Sequence, residues 1–113
     1  MGSDYIPERD IKAACWMKNF ARLLVAQPES YRTTPEDAAE IDALVLAFRL
    51  AQIKAWTPIT RTRVSVKGKM LARKSAEQMV RPTAQRIRND PRIDPALKMQ
   101  IGLKPKTQRR AQI

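Results

Sequence analysis

Where this chain places its prolines, and what stands just before each, decides most of what it can fold into. Thr34-Pro35-Glu36-Asp37 sets a capping hydroxyl ahead of a proline at the first helical position. Two acids then face the positive end of the helix dipole. Asp94-Pro95 repeats the device. Pro28, Thr57-Pro58 and Asn89-Asp90-Pro91 act as stops, because proline cannot continue a helix and pushes the residue before it out of the α region. The segments between these marks carry apolar residues at helical spacing, and none alternates as a strand does.

The first helix is predicted from about Pro7 to Gln27, with Ser3 or Asp4 near its start. Its apolar stripe is Ala13, Trp16, Met17, Phe20, Leu23 and Leu24. The second follows the Thr34 cap and runs to about Trp56, with Ile41, Leu44, Val45 and Phe48 on one face. The short connection between the two makes them antiparallel neighbours. A third, long helix is predicted from Pro58 or Thr60 to Arg88. On it Arg63, Lys67, Lys74, Arg81 and Arg88 fall within about 60° of one another, flanked by Lys69 and Arg73. Gly68, Ala72, Ala76, Met79, Thr83 and Ile87 occupy the opposite side, small enough to admit a close neighbour. Pro82 lies inside this pattern and predicts a bend, at about 3 kcal/mol in a straight helix. A short fourth helix, Pro95 to Ile101, ends at Gly102, with Leu103 folding back on its last turn. The expectation is an all-α fold: an antiparallel three-helix bundle with a kinked third helix, a short fourth helix, and a basic tail. Residues 1–103 form the bundle, and 104–113 a tail or the start of a linker. The expected core is Trp16, Phe20, Leu24, Ile41, Leu44, Val45, Phe48, Ala72, Ala76, Met79 and Ile87.

The 113 residues include no His and one Cys, which removes His-based acid–base work, His-containing triads, disulfide frameworks and Cys-rich zinc sites. Cys15 reads as a half-buried structural thiol, since no base accompanies it. Glu36, Asp37 and Glu40 read as first-turn helix acids, and Glu77 as the surface ion-pair partner of Arg73 and Arg81. Trp16 and Phe20 read as core anchors, Tyr31 and Trp56 as covers for the bundle's rims. No glycine lies in a phosphate-cradling loop. The expectation is no catalytic, cofactor-binding or metal-binding residue, no cofactor and no enzyme. Neither a signal peptide nor an apolar run of membrane-spanning length is present, so a cytoplasmic location off the membrane is expected.

Charge is the feature with functional pull. The net is +11, yet residues 1–57 hold seven basic and eight acidic side chains, and 58–113 hold fifteen and three. Arg63, Lys67, Lys69, Arg73, Lys74, Arg81 and Arg88, joined by Arg109 and Arg110 of the tail, are therefore the candidate polyanion-binding residues. All six aromatic residues lie at or before Trp56, so this half has no stacking platform for bases. It also lacks a helix-turn-helix signature.

Gly2-Ser3-Asp4-Tyr5-Ile6-Pro7, then Trp16-Met17-Lys18-Asn19-Phe20, resembles the start of a family of uncharacterised small bacterial helical proteins. Arg81-Pro82-Thr83-Ala84-Gln85-Arg86-Ile87, Pro91-Arg92-Ile93-Asp94 and Ile101-Gly102-Leu103 are similar to that family's third and fourth helices. The resemblance implies an N-terminal antiparallel helical bundle, often followed by a Pro-rich linker and a β-rich domain. On that basis the chain is a shorter member or a fragment of a longer protein. Its basic third helix departs from the family's Ala-rich pattern, and the resemblance supplies no binding or catalytic residue. The reading that fits best is a non-catalytic protein-interaction or scaffold module that binds another protein or copies of itself. The alternative is a sequence-nonspecific nucleic-acid-binding protein that tracks phosphates with the third helix.

Overall fold

The cap-plus-proline signals set the helix starts they predict. In the computed structural model, which describes residues 6–103, the Thr34 hydroxyl accepts from the Asp37 amide at 3.1 Å and opens α2, Pro35–Trp56. The Asp94 carboxylate accepts from the Ala96 amide at 2.9 Å and opens α4, Pro95–Gln100. α4 ends as expected. Gly102 is left-handed at φ 97°, its amide bonds Met99 O and the Leu103 amide bonds Lys98 O, a Schellman closure that buries Leu103.

The other two starts move. α1 spans Asp10–Ala26 and not 7–27, because the Pro7 and Glu8 carbonyls accept hydrogen bonds from Arg73 (both 2.8 Å) in place of helix amides. Ser3 and Asp4 lie outside the described residues. α3 spans Arg63–Asn89, later than Pro58 or Thr60. The Thr57 and Thr60 hydroxyls donate to Ile53 O and Lys54 O at 2.8 and 2.7 Å, so this stretch finishes α2. α3 opens instead on a reciprocal cap between Thr62 and Ser65. It continues through Pro82, whose missing N–H leaves one turn without its bond but does not end the helix.

Among the described residues the fold is all-α: four helices and a 3-10 turn, Pro28–Tyr31, between α1 and α2. α2 is the shared partner, packed against both α1 and α3. Ile11 and Cys15 at the start of α1 lie beside Ile53 and Trp56 at the end of α2, so the pair is antiparallel. Phe20, Leu24, Ile41, Val45, Phe48, Ala76 and Ile87 are buried as expected. Trp16, Leu44, Ala72 and Met79 pack at the core's edge. Met17, Tyr31, Val80 and Ala84 are buried in addition. Trp16 stacks on Phe20 with ring centroids 5.2 Å apart.

Side chains from α1 and the 3-10 turn hold α4 in place. The Trp16 indole donates to Gly102 O (3.2 Å), Asn19 to Gln100 O (2.9 Å), and the Tyr31 hydroxyl to Leu97 O (2.9 Å). Burial pushes the Tyr31 phenol's pKa up, which leaves it a neutral donor there. Tyr31 is thus an internal strut. Two expectations about small and aromatic residues are corrected. Trp56 is 65% exposed and covers no rim. Gly68 has open space around the position of an added Cβ, so no helix approaches it closely.

Candidate functional site

The basic face of α3 divides into two groups. Lys69 and Arg73 turn toward the start of α1 and hold Asp10 between them, at 2.8 and 2.7 Å. Arg73 reaches further than any other cation here: besides Asp10 and the Pro7 and Glu8 carbonyls, its Nε bonds Glu77 at 2.6 Å. Glu77 then pairs with Arg81 at 3.1 Å. Burial pushes the Asp10 carboxyl up, yet the hydrogen bonds and charges of Lys69 and Arg73 outweigh it and hold the pKa below the ordinary carboxylate value. Burial likewise pulls the Arg73 guanidinium down, and Glu77 and Asp10 together raise it. Lys69, Arg73 and Arg81 are therefore engaged in tying α3 to itself and to α1. That reduces what they can offer a phosphate.

Arg63, Lys67 and Lys74 form the second group. They are exposed, make no salt bridge among the described residues, and fall at i, i+4 and i+11 along one side of α3. Arg88, at the far end, is half-buried, and its Nε is buried without a hydrogen-bond partner among those residues. Arg109 and Arg110 lie outside the described residues. Three of the seven described candidate cations are thus free, exposed and aligned.

The larger surprise is apolar. α2 is covered by its neighbours on one face, yet Leu46, Leu50 and Ile53 on the other are 47%, 57% and 57% exposed. With Ala39 and Ala43, also exposed, they lie within about 80° of arc along α2. At its C-terminal end this stripe runs into Trp56 and, across a cleft of about 350 Å³, into Ile11 and Cys15 of α1. Cys15 is exposed, which corrects the expectation of a half-buried thiol. Monomeric soluble proteins rarely leave large apolar side chains contiguous on one face. Comparison with family models, with curated proteins and with solved structures finds no match for the chain.

Sequence reasoning missed this face because it sought a single stripe per helix. The signal was present: Leu44-Val45-Leu46-Ala47-Phe48 is apolar all the way round, more than one buried face can use. Among the described residues no group of three His, Cys, Asp or Glu side chains converges on a metal-sized site, and no helix is long and apolar enough to cross a membrane.

Proposed function

We propose that the protein is a non-catalytic protein-interaction module of the bacterial cytoplasm, and that it docks through the outward face of α2 with the adjoining edge of α1. One observation carries the reading: Leu46, Leu50, Ile53, Trp56 and Ile11 are each 47% exposed or more, on two adjacent helices. Covering such side chains removes apolar surface from water at about 25 cal/mol per Å². Trp56, the most exposed of the five, is the residue type that most often anchors an interface.

A photo-crosslinking residue at position 50 tests this, with position 74 on α3 as control. Discrete protein adducts at 50, absent at 74 and competed away by unlabelled protein, are the expected result. Equal, diffuse labelling at both positions would sink the reading.

A second reading rests on a separate observation, the free exposed row of Arg63, Lys67 and Lys74. It supports sequence-nonspecific contact with nucleic-acid backbone, weaker and less salt-dependent than the full set of basic residues on α3 would give. The two surfaces lie on different helices, and one protein can use both.

A further inference from the structure

α2's outward face is self-complementary in three respects, and we infer that its occupant is a second copy of this chain, packed antiparallel about a two-fold axis beside Leu46. The inference rests on the docking reading above and names its partner. The first respect is size. The N-terminal half of the stripe is small, Ala39 and Ala43, and the C-terminal half is large, Leu50 and Ile53. An antiparallel pairing sets the large half of each copy on the small half of the other, with Leu46 meeting its own counterpart at the axis.

The second respect is charge. On one flank of the stripe stand Asp42 and Arg49; on the other, Glu36 and Lys54. None of these four makes a salt bridge among the described residues. A two-fold axis across the helix returns each flank to itself. Asp42 then faces the second copy's Arg49, and Glu36 the second copy's Lys54, and each pair occurs twice.

The third respect is register. Asp42 with Arg49, Glu36 with Lys54, Ala39 with Ile53 and Ala43 with Leu50 all have midpoints within about one residue of Leu46, so one axis satisfies every pairing. A parallel pairing would set acids on acids and large residues on large. An unrelated partner helix would need none of this internal symmetry.

The test is sedimentation velocity on the full chain from about 1 µM to about 1 mM, the range where a face of this size associates. A concentration-dependent monomer–dimer equilibrium is expected. Leu50→Asp, on an exposed side chain, should weaken it about 100-fold while leaving the circular dichroism unchanged. Asp42→Arg and Arg49→Asp should each weaken it about tenfold, since each reverses one pair twice over. Mixing these two variants in equal amounts should restore association, because only the mixed dimer pairs all of the charges. A protein that stays monomeric throughout, or a dimer indifferent to these variants and not rescued by mixing, overturns the inference. In either case adducts to a different protein from position 50 would leave the docking reading standing, and the absence of any specific adduct would remove both. An adduct from position 50 to its own chain would also overturn the inference, by assigning the face to an intramolecular segment.

Discussion

At Gly102 the backbone is left-handed, and a Cβ would stand 2.6 Å from the Trp16 indole nitrogen that donates to the Gly102 carbonyl. Gly102→Ala therefore meets backbone strain and a collision with a packed ring. The expected loss is about 2–3 kcal/mol, or a Tm lower by roughly 10–20 °C by circular dichroism. Gly68→Ala is the matched contrast: it sits inside α3 with open space around it, so removing a helix-weakening glycine should stabilise by about 0.5–1 kcal/mol. Equal effects at the two positions would refute the account. Asp10 sets a pH dependence. Its carboxyl is held below the ordinary value of 3.8 in the folded chain, after burial is outweighed by Lys69 and Arg73. The unfolded chain therefore takes up the proton first as pH falls. The stability that Asp10 contributes is fully present well above the ordinary value of 3.8 and is lost as pH falls through that value and then through the folded pKa. Asp90, hydrogen-bonded by the Arg92 side chain and amide, is lowered too and adds to the same acid limb. Urea titrations at pH 3 and pH 6 should show Asp10→Asn destabilised at pH 6 and closer to the native chain at pH 3. A constant difference between the two would assign the effect to packing alone.

Helix by helix, the same physics separates what the sequence discloses from what it conceals. α2 and α4 are legible because cap and proline lie next to each other, and a local bond between neighbours needs no tertiary information. α1 and α3 shift because their starts are decided elsewhere, α1's by an arginine 63 residues on from Asp10, α3's by threonines that close the preceding helix. The basic row on α3 was legible in position and not in availability: Lys69, Arg73 and Arg81 are spoken for by carboxylates, of which only Glu77 is on the same helix. Pro82 yields a prediction at this scale. It is exposed in the interior of α3, and its ring denies the Gln78 carbonyl the N–H that would normally bond it. Pro82→Ala restores that bond. It should raise stability by about 1–3 kcal/mol, less than the full helix-interior penalty because the unfolded chain also gains freedom. Destabilisation in chemical denaturation would mean that the core, not the local backbone, depends on the proline.

Across the molecule, the excess positive charge and the apolar stripe of α2 lie on different helices, and that arrangement separates the two readings of function. The half carrying α1 and α2 has a net charge near zero and displays the stripe of Leu46, Leu50 and Ile53 with Trp56; the half carrying α3 holds the excess of positive charge, with Val64, Met70 and Leu71 exposed among its cations. Bringing two copies together through α2 therefore places the near-neutral surfaces in contact, while the free cations of α3 remain on another helix. The salt dependence of polyanion binding reports how many of those cations act. If Arg63, Lys67 and Lys74 alone neutralise phosphates, affinity for random-sequence duplex DNA should fall roughly 40-fold between 50 and 200 mM salt. If Lys69, Arg73 and Arg81 broke their internal pairs to join them, the fall would exceed about 500-fold, and Arg73 would release the start of α1 as it did so. Fluorescence anisotropy across that range distinguishes the two cases. A Lys67→Glu, Lys74→Glu variant should lose the binding and keep the self-association, whereas Leu50→Asp should do the reverse. A single variant that removes both activities would mean that the two surfaces act as one, with polyanion contact requiring the dimer.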